Sequence, residues 1–261
     1  CYNNYKYMTQ IVSDNLADNI NQAPKKWYKK RWGRAIMALI FLIILLFVLL
    51  AAAVFGLVKN VQNNKNIVQN INAIDRSFFD NAQKSPQRQL AEKMDRPQFG
   101  NPKAPLVIVE FADFQCTHSK QEFPVIREFI NKYKNDLLFI YRQYPVINDN
   151  SAVVSEASLC AEEQGKFWQM HDRLFSRPEE NITSETVRLT AQLSGVDLKK
   201  FDECVKSKKF QGKVMEDAQD GFNLDVRGTP TFFINGKKLD GAVPSEILEQ
   251  IMAKAKEIMA G

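Results

Sequence analysis

Cys116 is the residue best placed for chemistry. It lies in Val107-Ile-Val-Glu-Phe-Ala-Asp-Phe-Gln-Cys-Thr-His-Ser119, where an apolar run gives way to helical spacing. Leu106 to Phe111 is short, apolar and β-branched, interrupted only by Glu110, which predicts a strand buried on both faces. Phe123, Ile126, Phe129, Ile130 and Tyr133 then recur at three- and four-residue steps, the pattern of an amphipathic helix. A cysteine at that junction meets the unpaired N–H groups and the positive dipole end of a helix N-terminus, and both favour thiolate over thiol. His118 can add a positive charge or a hydrogen bond. The chemistry implied is nucleophilic attack by sulfur. Glu110 stands within the apolar strand behind the cysteine, and a buried carboxylate titrates high, so it can relay a proton to or from the thiol. The alternative is a carboxylate that escapes to solvent at a strand end.

The segment Glu-Phe-x-x-Phe-x-Cys-x-His resembles the active-site region of the DsbA branch of the thioredoxin superfamily, whose members carry Cys-x-x-Cys there, often Cys-Pro-His-Cys. Glu110, six residues before the cysteine, matches the family's buried acid. Arg227-Gly-Thr-Pro-Thr-Phe-Phe-Ile-Asn-Gly236 resembles the second hallmark, a cis-proline loop facing the cysteine. Asn101-Pro-Lys-Ala-Pro105 and Gln164-Gly-Lys-Phe-Trp168 are similar to further family positions, and the likeness runs from Phe99 to Met259. It implies an α/β thioredoxin fold with an inserted helical domain, acting on protein thiols. Cys116, His118, Ser119 and Glu110 would form the catalytic set, and Thr229 and Pro230 would shape the groove for an extended substrate. Proline there donates no N–H, and a cis bond is costly enough to suggest a purpose.

Ser119 departs from the family pattern, because it replaces the second, resolving cysteine. A dithiol site stores two electrons in its own disulfide and resolves mixed disulfides with its second sulfur. Cys116 alone can attack a disulfide or receive one, and release must come from a substrate or external thiol. The Ser119 hydroxyl is expected to hydrogen-bond and stabilise the thiolate. Two origins fit: an introduced serine that traps mixed disulfides, or a natural one giving a monothiol isomerase, a reductant of sulfenylated cysteines or a redox-inactive binding or scaffold module of a membrane complex. Retained Cys116, His118, Glu110 and Thr229-Pro230 favour redox chemistry over the module.

Four cysteines occur, Cys1, Cys116, Cys160 and Cys204. An exported domain with an odd count invites one bridge and one free thiol. Many DsbA-like proteins carry a cysteine pair at places similar to Cys160 and Cys204, so the resemblance implies that bridge and leaves Cys116 free. The alternative is two buried, reduced thiols. Cys1 reads as a fragment boundary.

No other chemistry stands out. His118 and His171 are too dispersed for a zinc cluster, and His171 reads as core. No phosphate-binding or dinucleotide glycine motif occurs, and no metal or cofactor is expected. Asn181-Ile-Thr183 fits the glycosylation sequon, a pattern common by chance.

The elements that would position Cys116 follow from spacing and turn residues. The catalytic domain is placed at 99–261. After the first strand comes its helix, kinked or restarted at Pro124, and then a strand over Leu137–Gln143. Helices are predicted over Ala152–Gln164, Phe167–Phe175, Ser184–Leu193, Leu198–Ser207 and Gln211–Leu224, an insertion of about residues 148–225, with Asp197 as an N-cap. Asn235-Gly236, the strongest short hairpin signal, joins Thr231–Ile234 to Lys237–Leu239. Ser245–Met259 closes the chain as a helix.

Upstream, Ala35 to Val58 holds no charged residue over 24 positions, enough to span a bilayer as a helix. Lys25, Lys26, Lys29, Lys30, Arg31 and Arg34 precede it. The positive-inside rule therefore places 1–34 in the cytoplasm and the rest outside the cell membrane, bacterial in type. Trp27, Tyr28 and Trp32 suit an interfacial belt. A cleaved signal peptide is disfavoured, since the apolar run exceeds a signal core and lacks a small-x-small exit. Residues 1–34 carry a net charge of +5, the whole excess of the chain. Its place beside the span argues for lipid headgroups and against nucleic acid. Residues 1–24 read as a polar tail with a short helix around Met8–Ile20. Residues 59–98 read as stalk and linker: Val61, Ile67, Val68, Ile71, Ile74 and Phe78 hold helical spacing, Ser85-Pro86 ends the helix, and 87–101 is a connector. The partners expected are exported proteins with cysteines, the membrane, and a membrane redox partner or complex.

Overall fold

A computed structural model of the chain describes residues 31–72, 84–177 and 182–260. The chain divides into two units, residues 1–66 and 67–261. The tail helix around Met8–Ile20, Cys1, Trp27, Tyr28, Ile74, Phe78 and Asn181 lie outside the described residues, as do the side chains of the rest of the stalk stripe. Helix α1, Arg31–Asn72, is one run of 42 residues. Its stretch Arg34–Gly56 is long and apolar enough to cross a membrane, and none of it is buried. The same helix runs on beyond that stretch to Asn72.

In the second unit, β2 (Leu106–Ala112) is buried at every position, as is β3 (Leu137–Gln143). Their unbroken apolar character suits strands covered on both faces. They pair in parallel, with Glu110 opposite Tyr141. On the other side β2 pairs antiparallel with β4 (Thr231–Ile234), placing Glu110 opposite Phe232, and β5 (Lys237–Asp240) closes that edge. The turn between β4 and β5 uses Asn235 and Gly236 at φ 45° and 84°, the left-handed pair that a two-residue hairpin of native twist requires. The Asn235 side chain accepts from the Val107 N–H at 2.7 Å and donates to the Pro105 carbonyl at 3.0 Å, pinning the hairpin to the start of β2.

Two short elements replace the expected connector at 87–101. Helix α2, Pro86–Ala91, is capped by the Ser85 hydroxyl. Strand β1, Gln98–Gly100, adds antiparallel to β3, giving the order β1-β3-β2-β4-β5. The folded body therefore begins upstream of Phe99, with Ala91 buried among Val107, Val109 and Ile140. Trp168 fixes β1 by donating to the Gln98 carbonyl at 2.7 Å.

Helix α3, Thr117–Lys132, runs unbroken through Pro124, with no restart. The proline removes one backbone donor, while packing of Ile126, Phe129 and Ile130 on the sheet holds the following turns. The helical layer comprises α4 (Asp149–Glu162), α5 (Phe167–Phe175), α6 (Ser184–Leu193), α7 (Leu198–Lys206) and α8 (Gln211–Asn223). Helix α4 starts ahead of Ala152 because Asn148 and Ser151 form a capping box. Asp197 caps α7 by accepting from Lys199 and Lys200 N–H groups. Helix α9, Ser245–Ala260, ends the chain. One sheet face, with Leu106, Ile108, Phe139 and Tyr141, shares a core with α3, α9 and much of the helical layer. Val107, Val109, Phe111 and Ile140 on the other face meet Ala91, Leu224 and Val226.

Candidate active site

Cys116 is the N-cap residue of α3, with extended backbone (φ −81°, ψ 121°). The fold holds it there through Asp113, a fully buried carboxylate at the end of β2. The Asp113 carbonyl accepts from the Cys116 N–H at 3.0 Å. Its side chain accepts from the Gln115 N–H at 2.8 Å and from the Val146 and Ile147 N–H groups at 2.9 Å each. One carboxylate thus shapes both the turn bearing the sulfur and the loop leaving β3. Gln115 adds a clip to the helical layer: its amide donates to the Ile182 carbonyl at 3.1 Å and accepts from the Ile182 N–H at 2.9 Å.

The sulfur faces the loop ahead of β4. The Thr229–Pro230 peptide is cis, and the Cys116 thiol donates to the Thr229 carbonyl at 3.2 Å. The Pro230 carbonyl accepts from the Gly241 N–H at 2.9 Å, which ties the loop to the end of β5. Cys116 is the free cysteine among the described residues, and it is buried. Of the residues expected around it, His118 points outward and is exposed in the first turn of α3. Ser119 is buried, and its hydroxyl makes no hydrogen bond. The expectation that Ser119 bonds to the sulfur is therefore corrected: the thiol has turned to the Thr229 carbonyl.

Glu110 does not escape to solvent. It lies mid-strand in β2 at 2% exposure, and burial, followed by the charge of Glu122, pushes its carboxyl up to about 8. Glu122, which spacing did not single out, is buried on α3 and accepts from the Val243 N–H at 3.2 Å. Burial pushes it up to about 7, partly offset by that hydrogen bond. A signal for it exists in the sequence, since Ser119, Glu122, Ile126, Phe129 and Ile130 form the inward stripe of α3. An acid on such a stripe is a buried acid. Asp113 and Gln115 have no such signal, because their partners lie in loops distant in sequence.

Cys160 and Cys204 are bonded, S–S 2.02 Å, joining α4 to α7. A cavity of about 760 Å³, lined by Glu163, Gln164, Lys200, Glu203, Cys204, Ser207 and Lys209, opens over this bridge, away from Cys116. His171 is caged by the rings of Phe114, Phe123, Tyr141, Phe167, Trp168 and Phe175. Burial lowers its proton affinity against the pull of Asp172, so it is a neutral core residue. No group of metal-ligating side chains occurs among the described residues.

A family model described as Thioredoxin matches residues 92–254. The Probable disulfide bond formation protein D of Bacillus anthracis is 30% identical over 150 residues, covering 52% of this chain and 68% of that protein. Na(+)/H(+) antiporter NhaA 3 of Salinispora tropica is 32% identical over 164 residues, 62% of this chain. The chain spans 25% of the length of that antiporter. Among solved structures, the thiol-disulfide exchange protein alpha-DsbA2 of Wolbachia pipientis has a TM-score of 0.59 at 19% identity, over 67% of this chain and 98% of its own. That is a likeness of fold. A periplasmic thioredoxin-like protein from Salmonella enterica serovar Typhimurium has a TM-score of 0.54 at 25% identity, over 69% of this chain and 99% of its own. With a central sheet, an inserted helical layer and a cysteine at the N-cap facing a cis-proline, the chain belongs to the thioredoxin superfamily, in its DsbA-like branch of thiol-disulfide oxidoreductases.

Proposed function

We propose that this protein is a membrane-anchored, extracytoplasmic thiol-disulfide oxidoreductase or isomerase that works through the single thiol Cys116. The observation that carries the reading is the seat of that sulfur, at the N-terminus of α3 and 3.2 Å from the Thr229 carbonyl, with a buried serine in the resolving position. Cys116 as thiolate attacks a substrate disulfide, one substrate sulfur leaves as thiolate, and a mixed disulfide forms. A second substrate thiol, or an external one, then attacks the substrate-side sulfur and Cys116 leaves. If the incoming thiol belongs to the same client, the net result is isomerisation; if it is external, the client is left in a mixed disulfide with that thiol, and a second external thiol completes its reduction. Thr229 and Pro230 line the path of the incoming chain, and His118, exposed beside the sulfur, meets the solvent side of the encounter. Exported proteins bearing cysteines are the clients.

The apolar stretch in α1 and the basic charge before it support an anchor with the thioredoxin domain outside. A membrane redox partner fits less well than for a dithiol relative, because Cys116 and Ser119 form no internal disulfide to be reoxidised.

The test uses the full chain in detergent with a scrambled disulfide protein as client. Wild type is expected to yield a covalent adduct at Cys116 by mass spectrometry and to speed recovery of client activity. Cys116→Ala is expected to abolish both. Client binding that survives Cys116→Ala with no adduct in wild type would instead establish the redox-inactive binding module.

A further inference from the structure

Three loops meet around the sulfur, and hydrogen bonds tie each to the next. The Asp113 carbonyl accepts from the Cys116 N–H at 3.0 Å, and the Asp113 carboxylate accepts from the Val146 and Ile147 N–H groups at 2.9 Å each. From the loop that Asp113 holds, the Tyr144 hydroxyl donates to the Val226 carbonyl at 2.8 Å. Val226 leads to Thr229, whose carbonyl takes the Cys116 thiol. Phe114, Tyr144, Leu224 and Val226 on these loops are buried, whereas Val146 and Ile147 stand 51% and 48% exposed. Scattered exposed apolar side chains are ordinary. This pair differs, because its backbone is pinned by a fully buried carboxylate. Burying a charge is costly, and the hydrogen bonds that offset the cost at Asp113 come from this turn and this loop.

We infer that Val146 and Ile147 form the seat for an apolar side chain next to the client's cysteine, and that Asp113 is the positioning residue that fixes this seat relative to the Cys116 sulfur. This rests on the exchange reading above and names the client class preferred: extended, cysteine-bearing segments with a large apolar residue beside the cysteine. Cys116 is only 5% exposed, so a client sulfur reaches it with its flanking chain laid against the surrounding loops. In an extended chain, residues one or two places from the client cysteine lie roughly 3–7 Å along from it. Both seat residues are β-branched and keep few rotamers, and their N–H groups are held. The seat is therefore ordered before the client arrives, and little freedom is lost on contact.

The two oxygens of Asp113 divide the work. Oδ1 takes the Gln115 N–H within the turn at 2.8 Å, and Oδ2 takes both N–H groups of the loop. Asparagine offers one acceptor oxygen and an amide donor. Asp113→Asn can therefore satisfy the turn or the loop but not both, and it uncouples the seat from the sulfur whichever it keeps. Val146→Ser with Ile147→Ser removes the apolar seat and leaves the backbone N–H groups that Asp113 holds.

The experiment uses the detergent-solubilised full chain and two peptides, each with one cysteine held as a disulfide with a chromogenic aromatic thiol. One peptide has leucine on both sides of the cysteine, the other serine. The Cys116 thiolate bonds to the peptide sulfur and the aromatic thiolate leaves, so its absorbance gives a half-saturating concentration and a limiting rate. Wild type is expected to half-saturate with the leucine peptide at about a tenth of the serine peptide's concentration. Val146→Ser with Ile147→Ser should erase that preference, and so should Asp113→Asn. Leu193→Ser, which changes an exposed apolar residue at the C-terminal end of α6, should leave it whole. A purely structural loss would weaken both peptides alike and leave their ratio unmoved. A wild type indifferent to leucine, or a preference that survives either the seat substitutions or Asp113→Asn in folded protein, overturns the inference alone. A preference that fades as the protein is diluted marks a second copy at the seat and overturns it too. If Asp113→Asn does not fold, amide exchange in wild type decides: the leucine-peptide adduct should slow exchange at Val146 and Ile147 by at least about tenfold relative to the serine-peptide adduct, and equal exchange overturns the seat. Absence of any Cys116 adduct in wild type overturns the exchange reading, and the seat with it.

Discussion

Glu110 sets the most direct prediction at the residue scale. Its folded carboxyl titrates at about 8, against an ordinary 4.5, because burial and then Glu122 disfavour the charge. The folded state therefore holds a proton that the unfolded chain releases between those values, and stability falls as pH rises through that window. Below about 4.5 the contribution is fully present; above about 8 it is lost. Glu110→Gln removes the cost of the buried charge. It is expected to stabilise the fold by roughly 1–3 kcal/mol at pH 9 relative to wild type, and by little at pH 5. Urea melts at the two values check this, and an equal effect at both would refute the buried-charge account. At this scale much of the site was legible: a cysteine at a strand-to-helix junction, an acid inside an apolar strand and a proline loop each carry a local signal. What was hidden is held by distance along the chain. Asp113 reaches Val146 and Ile147, Gln115 reaches Ile182, and the Ser119 hydroxyl lacks the bond that its position suggested.

Between elements, the buried charges around Arg142 tie the upstream segment to the body. Arg142 donates to Asp217 at 2.7 Å and Asp220 at 2.6 Å, and to the Leu90 and Ala91 carbonyls at 2.9 Å each. Arg96 meets the same Asp217 at 2.7 Å. One guanidinium on β3 thus holds α8 and satisfies two carbonyls at the end of α2. Arg142→Met would leave Asp217 and Asp220 short of their partner and the Leu90 carbonyl unpaired, while the Ala91 carbonyl keeps the Lys93 N–H at 3.1 Å, costing about 3–5 kcal/mol. Arg142→Lys keeps the charge but cannot fork to four acceptors, so it should recover only part of that. Denaturant melts rank the three proteins, and proteolysis near Leu90 should rise in the same order as stability falls. This anchoring explains which elements the sequence could reveal. β2, β3, β4 and the five inserted helices announce themselves by apolar runs, spacing and caps. Helix α2 is six residues and β1 three, too short to show a period, and their places are fixed by Arg142 and Trp168 far downstream. Pro124 suggested a kink or a restart, and the helix does not restart there, because packing outweighs one missing donor.

For the whole molecule, the Cys160–Cys204 bridge and the Cys116 thiol belong to different layers of one domain. The bridge staples α4 to α7 and spans 44 positions of sequence. The thiol depends on β2, α3 and the Thr229 loop. A bridge of that span restricts the unfolded chain by about 4 kcal/mol in the chain-entropy account, an upper figure in practice. Such a bridge persists in oxidising surroundings, which accords with the extracytoplasmic placement proposed above. Cys160→Ala combined with Cys204→Ala is therefore expected to lower unfolding free energy by up to about 4 kcal/mol, while Cys116 still forms its mixed disulfide at temperatures well below melting. Adduct yield at Cys116 and denaturant melts on the same protein separate the two effects. Of the two routes that could couple the layers, shared core packing is broad and tolerant, whereas the Gln115–Ile182 hydrogen bonds are specific. If the bridge variant stays folded yet loses its adduct, that clip is the connection to cut next. Gln115→Ala with the bridge intact should then reproduce the loss.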